Sequence, residues 1–225
     1  MNPVNRSAGS ARKAKPATAA RVKRQPEQTR RRLFEAAQAE FAAKGLAGAR
    51  IDQIARRAGS NKRMLYQYFG NKEVLWLRVL ERAYEAMREE EKLLDVGRLE
   101  PVEGMRWLVL FNIRYTAAHP EFVALLNSEN LHRARYLKQS VKVPSLYSPL
   151  LAMIADLLRR GRKAGVFRDG VDAMQLYISI ASLGYFYCSN IYTLSTIFGR
   201  DLATASARRE RDHHVVDMVL GYLRP

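Results

Sequence analysis

The stretch RIDQIARRAGSNKRMLYQYFGNKE, residues 50–73, constrains this chain more than any other. Ile51, Ile54, Ala55 and Ala58 recur at helical spacing and stop at Gly59. Ser60 or Asn61 then caps a second short helix that ends before Gly70, and Asn71 caps a third. Two helices of about eight residues each, joined through AGSN, have the spacing of a helix-turn-helix. Small Ala58 and Gly59 permit the tight turn between them.

A helical wheel sorts the side chains of the second helix. At ~100° per residue, Leu65 and Phe69 share one face and anchor the helix on its neighbours. The opposite face carries Ser60, Arg63 and Gln67, with Met64 close by. Arg and Gln are the side chains that read guanine and adenine edges in a major groove. Tyr66 and Tyr68 flank the seam, where their hydroxyls would meet phosphates. Lys72 opens the next helix, where backbone N–H groups also favour a phosphate.

The charge agrees with a polyanionic partner. Lys and Arg number 38 against 22 Asp and Glu, a formal net charge of +16. Such an excess draws nucleic acid, with an anionic membrane surface or simple solubility as the duller readings. Residues 1–25 hold Arg6, Arg12, Lys13, Lys15, Arg21, Lys23 and Arg24 with no acid and read as a disordered basic arm. The arm either lies along DNA or is a solvated tail. The single cysteine, Cys188, allows no disulfide framework within the chain and suits a reducing compartment. No apolar run reaches the ~18 residues of a membrane span. The expectation is a soluble cytoplasmic protein at the nucleoid.

The remaining pattern is helical throughout, so the fold class is all-α with about nine helices. Leu33, Ala37 and Phe41 mark a helix that stops at Gly45. Further helices are expected from Pro101 to about Ala118, after Pro120, from Pro149 to Lys163, from Asp172, and from Ala205 to Leu223. Residues 26–75 are expected to form the helix-turn-helix domain and residues 76–225 a larger helical domain for ligand binding and dimerisation.

RIDQIARRAGSNKRMLYQYFGNKEVL resembles the DNA-binding domain of TetR-family transcriptional regulators, through its "IA..AG", "LY.YF" and "NKE.L". TRRRLFEAAQAEFAAKG resembles that domain's first helix. The resemblance covers about residues 26–80 and implies a dimeric, ligand-responsive regulator that binds double-stranded operator DNA. It implies groove contacts from Ser60, Asn61, Lys62, Arg63, Met64 and Gln67, and phosphate contacts from Tyr66, Tyr68 and Lys72. The family often has Thr and Ser where this chain has Ala49 and Arg50. A capping hydroxyl is therefore missing, and Arg50 supplies the phosphate contact by charge instead.

In the larger domain, DAMQLYISIASLGYFYCSN is apolar on nearly every side and is expected to be buried all round. Met174, Ile178, Ala181, Tyr185 and Cys188 line one face, and Leu176, Ile180, Leu183 and Tyr187 another. The second face, with Val216, Leu220 and Leu223 of the last helix, is expected to form an isologous homodimer interface. Small Ala181, Ser182 and Gly184 would permit close approach.

Trp107, Phe111 and Tyr115 recur every four residues, and Phe122, Tyr177 and Tyr185 are placed to face them. Such a stripe serves a core as readily as a pocket. Nearby Arg114, His119, Asn127, Asn130, His132 and Arg133 favour a pocket, because buried polar groups need partners. The expected pocket is Trp107, Phe111, Tyr115, Phe122, Asn130, Tyr177 and Tyr185, holding a small-molecule effector of the aromatic or heterocyclic acid kind. The histidines lack ligand spacing for a metal. No catalytic signature or cofactor motif is present, so neither enzyme nor cofactor is expected. The sequence-level conclusion is a dimeric repressor of a palindromic operator, released by a small molecule. The rivals are an architectural DNA-coating protein, and an all-α ligand-binding protein or enzyme with a vestigial helix-turn-helix.

Overall fold

The computed structural model describes residues 17–225, with side chains from residue 26 onward. Its elements are α1 (Ala17–Gly48), α2 (Ile51–Arg57), α3 (Lys62–Phe69), α4 (Lys72–Lys92), α5 (Pro101–Ala118) and α6 (Pro120–Leu131). They continue as α7 (Lys142–Lys163), α8 (Ala173–Ser189), α9 (Ile191–Ile197) and α10 (Ala205–Leu223). The fold is all-α, and among the described residues there is no strand. The helix beyond the expected nine is α9, a short piece between Asn190 and Gly199. Residues 1–16 of the expected basic arm lie outside the described residues, and α1 takes in the remainder from Ala17. Among the described residues no helix is long and apolar enough to cross a membrane.

Two apolar cores organise the chain. The first joins Leu33, Ala37 and Phe41 of α1, Ile54 of α2, Leu65 and Phe69 of α3, and Leu75, Trp76, Val79 and Leu80 of α4. The second joins Met105, Leu108, Val109 and Ile113 of α5 to Ile154 and Leu157 of α7, Leu176 and Ile180 of α8, and Val215, Val216 and Val219 of α10. Helix α4 belongs to both halves. Its first turns complete the first core, while Met87 packs with Tyr115 and Phe122 in a satellite cluster of the second half. Helix α4 therefore runs across the boundary placed at residue 75.

The caps follow the sequence closely. Asn61 Oδ1 accepts a hydrogen bond from Met64 N, Asn71 Oδ1 from Val74 N, and Asp172 Oδ1 from Gln175 N. One helix start differs from expectation. Helix α7 begins at Lys142 and runs through Pro149, which was read as its first residue. Proline removes one i→i−4 hydrogen bond, but Ser145, Ser148 and Pro149 are exposed, so water can satisfy the freed Ser145 carbonyl.

Candidate functional site

Helix α3 is a short platform fixed from behind. Leu65 and Phe69 are buried against α1 and α2, and the Phe69 ring lies 6.1 Å from that of Phe34. With that face pinned, Lys62, Arg63, Tyr66 and Gln67 are exposed, Tyr66 by 50% despite its ring. Arg63 and Gln67, four residues apart, rise one above the other on the outer face. A protruding helix face with Arg and Gln one turn apart has the donors and acceptors to read base edges.

The other nucleic-acid candidates take distinct places. Ser60 is half-buried in the turn, and Asn61 spends its Oδ1 on capping α3. Met64 and Tyr68 are half-buried and pack on the first core, so each offers only an edge to a partner. Lys72 is the first residue of α4, beside the backbone N–H groups of its N-terminus. Arg50 precedes α2, and no side chain caps that helix. Its guanidinium is exposed and lies 3.3 Å from Asp52 Oδ2.

In the larger half, a cavity of about 260 Å³ lies among α4, α5, α6, α7 and α8. Tyr84, Phe122, Tyr147, Tyr177 and Tyr185 supply rings, and Asn112, Thr116, Asn130 and Ser182 supply polar groups. The rings meet edge to face: Tyr84 with Phe122 at 5.6 Å, and Tyr147 with Tyr177 at 5.7 Å. Burial pushes the Tyr84 hydroxyl up to about 12 and raises that of Tyr147, so both stay neutral donors.

Of the residues expected in a pocket, Phe122, Asn130, Tyr177 and Tyr185 line this cavity. Trp107, Phe111 and Tyr115 do not. Trp107 is exposed, while Phe111 and Tyr115 pack on each other at 5.6 Å outside the lining. Helix α5 is turned by one residue from the aromatic stripe, so Asn112 and Thr116 face the cavity instead. Tyr84, Met87, Tyr147 and Leu126 also line it and had no sequence signal of their own. Each sits in an ordinary amphipathic pattern, and only the packing of α4, α6 and α7 brings them together.

Helix α6 connects the cavity with the helix-turn-helix half. One side of it offers Phe122, Leu126 and Asn130 to the cavity. The other grips α1 and α4. Ser128 Oγ accepts from Leu46 N at 3.4 Å. Gly45 stands opposite with φ +63°, and a Cβ there would lie 2.9 Å from that same Oγ. Glu129 is buried and accepts three hydrogen bonds: from Trp76 Nε1 at 2.8 Å, Tyr136 N at 2.9 Å and Leu137 N at 2.8 Å. Tyr185 of α8 closes onto α6 by donating to Asn127 Oδ1.

The expected dimer residues require a correction. Leu176, Ile180, Val216, Leu220 and Leu223 are buried in the protomer's own second core. Leu183 packs on that core, and the Tyr187 hydroxyl is spent on Leu202 O at 2.7 Å. Gly184 serves approach within the subunit, since a Cβ there would stand 3.3 Å from Ile113 Cα of α5. The exposed apolar stripe of α8 is the opposite one, Met174, Ile178 and Phe186, joined in exposure by Met218 and Tyr222 of α10. The face that α8 buries in its own protomer is therefore the one the sequence assigned to the dimer.

Among the described residues no group of three or more His, Cys, Asp or Glu side chains is arranged to hold a metal. Burial raises the Cys188 thiol above its ordinary value, which keeps it protonated and unreactive.

The chain is similar to known proteins along most of its length. A family model described as "Bacterial regulatory proteins, tetR family" matches residues 33–79. A second, "Tetracyclin repressor-like, C-terminal domain", matches residues 101–219. The chain is 37% identical over 200 residues to the HTH-type transcriptional repressor NicS of Pseudomonas putida, covering 89% of this chain and 94% of that protein. It is 37% identical over 166 residues to the HTH-type transcriptional repressor SCO4008 of Streptomyces coelicolor, covering 71% and 78% respectively. Among solved structures, the transcriptional regulator SCO4942 of Streptomyces coelicolor superposes with a TM-score of 0.65 at 26% identity, covering 88% of this chain and 99% of that one.

Proposed function

This chain belongs to the tetR family of bacterial regulatory proteins, and on that premise we propose that it works as a ligand-responsive, DNA-binding transcriptional repressor. Its helix α3 would enter the major groove of an operator half-site, with Arg63 and Gln67 on base edges and Tyr66, Tyr68, Lys72 and Arg50 on phosphates. A homodimer would place two such helices in successive grooves of a palindrome, ~34 Å apart or slightly more. The dimer contact would use the exposed stripe Met174, Ile178 and Phe186 with Met218 and Tyr222, each about half exposed in one protomer.

The observation that carries this reading is helix α6, which lines an aromatic cavity on one side and holds α1 and α4 on the other. A small molecule that fits the cavity best when α6 is displaced would bias the dimer toward a spacing of α3 helices that misses the operator. That is a population shift, and it requires the ligand to favour one state. The cavity lies just under the ~300–1,000 Å³ typical of ligand sites, which suits a compact ligand. Five aromatic side chains with interspersed amide and hydroxyl groups suit an aromatic or heterocyclic acid.

Titration against palindromic and scrambled duplexes tests the DNA side. Arg63→Ala is expected to relax base preference at one position of each half-site, at a cost of about 1–3 kcal/mol. Lys72→Ala is expected to weaken all sequences alike and to reduce the salt dependence. Equal affinity of the native protein for both duplexes at physiological salt would replace this reading with an architectural one.

A further inference from the structure

Arg88 stands out among the groups that the helix-turn-helix and the cavity lining leave unused. It is only 2% exposed, on the α4 turn that follows Tyr84. Its Nη1 pairs with Glu91 Oε2 at 2.7 Å, while Nε and Nη2 have no hydrogen-bond acceptor and Glu91 Oε1 has no donor. A guanidinium carries five N–H donors in a planar fork. One carboxylate oxygen serves only part of that fork, and burying the remaining donors is costly unless some other state of the protein supplies acceptors.

The surroundings point to what would supply them. The guanidinium carbon sits 5.1 Å from the Tyr147 ring centroid and 5.8 Å from that of Tyr177. Both rings line the 260 Å³ cavity. On its other side Arg88 borders a second cleft of about 290 Å³, with Glu91, Leu150 and Met153. Arg88 is thus the cation at the end of the aromatic cluster. The cavity lining itself includes no Lys or Arg.

We propose that Arg88 is the anion anchor of the cavity, and that the effector is a compact planar aromatic ring bearing a carboxylate. The proposal rests on the small-molecule reading of the cavity given above and deepens it. The ring takes its place among Tyr84, Phe122, Tyr147 and Tyr177, and its carboxylate meets the guanidinium fork as a bidentate partner. Glu91 holds that place in the ligand-free protein and yields it on binding. Burial pushes the Glu91 carboxyl up to about 7, so it surrenders its charge easily. A neutral ring of the same shape would gain the stacking and leave the guanidinium as it was.

Calorimetric titration of the full-length protein with benzoate and with benzamide tests this. Benzoate is expected to bind about ten-fold or more tightly than benzamide, the margin of one charge-assisted pair. Arg88→Met is expected to erase that preference. Glu91→Gln, which removes the competing anion, is expected to tighten benzoate and leave benzamide unchanged. If Arg88→Met does not fold, the Glu91→Gln titration decides. Failure of that variant to tighten benzoate, or a benzoate preference surviving in Arg88→Met, overturns the anchor. Equal binding of both compounds by the native protein removes the anchor and keeps the small-molecule cavity. Binding of neither, with the operator complex unaffected by both, removes the two readings together.

Discussion

The Trp76–Glu129 hydrogen bond is where the two halves of this protein can be uncoupled with a single atom. Trp76 is fully buried under Phe41, with ring centroids 5.2 Å apart, and its indole N–H reaches Glu129 Oε2 at 2.8 Å. Glu129 Oε1 meanwhile accepts from Tyr136 N and Leu137 N. In Glu129→Gln the remaining oxygen keeps the two backbone donors, and the new NH2 faces the indole N–H. Two donors then oppose each other in a buried site. Loss of the bond and the stranded donor together cost about 2–3 kcal/mol. At about 2–4 °C per kcal/mol for a chain of this size, Tm should fall by about 4–12 °C. Trp76→Phe removes the opposing N–H, so the double variant should lose about 1–3 kcal/mol less than the sum of the two single losses. Urea denaturation of all four proteins measures the cycle. The same variants should show a smaller effector-induced loss of operator affinity, because α6 holds α4 less firmly. Single losses that add within about 0.5 kcal/mol would refute the assignment of this bond as the link.

Burial pushes the Glu91 carboxyl up to about 7 from its ordinary 4.5; Arg88 opposes that rise, with Lys92 and Asp95 bordering the same cleft. The folded state therefore holds a proton that the unfolded chain has lost, so stability should fall as pH rises from about 4.5 to 7 and then level off. The full span is worth about 3 kcal/mol, and Glu91→Gln should flatten it; parallel urea midpoints for both proteins between pH 5 and 8 would contradict this. Phe186 is 57% exposed on the apolar stripe of α8, so Phe186→Glu should leave the protomer folded and shift sedimentation from dimer toward monomer. An unchanged dimer would place the interface elsewhere.

Much of the DNA-facing half was legible because its determinants are local. Asn61 and Asn71 cap the helices they precede, and a cap is a contact between residues three apart. Leu65 and Phe69 share a face by geometry alone, and once they are buried the exposure of Arg63 and Gln67 follows. Even the departure at Arg50 was legible, since a helix preceded by Arg has no hydroxyl to cap it, and α2 has none. Pro149 misled because proline opens helices more often than it continues them, and only the exposure of the neighbouring turn shows why α7 tolerates it.

The larger half was less legible for a reason that α8 makes plain. A helix apolar on every side has a period but no phase: Leu176 and Ile180 are as hydrophobic as Met174 and Ile178. What sets the phase is a single missing side chain. Gly184 lies on the Leu176–Ile180 face and lets the α5 backbone come within 3.3 Å of where its Cβ would be. That approach commits the face to the protomer's own core and turns Met174, Ile178 and Phe186 outward. The cavity follows the same logic one step further. It is bounded by side chains from five helices and exists where their packing stops, so no stripe on one helix announces it. The Trp107–Phe111–Tyr115 stripe looked like a wall and is not one, whereas Arg88 lay unnoticed in a charged run of α4. Its burial with Nε and Nη2 unpartnered becomes visible only when Tyr147 of α7 and Tyr177 of α8 pack against it.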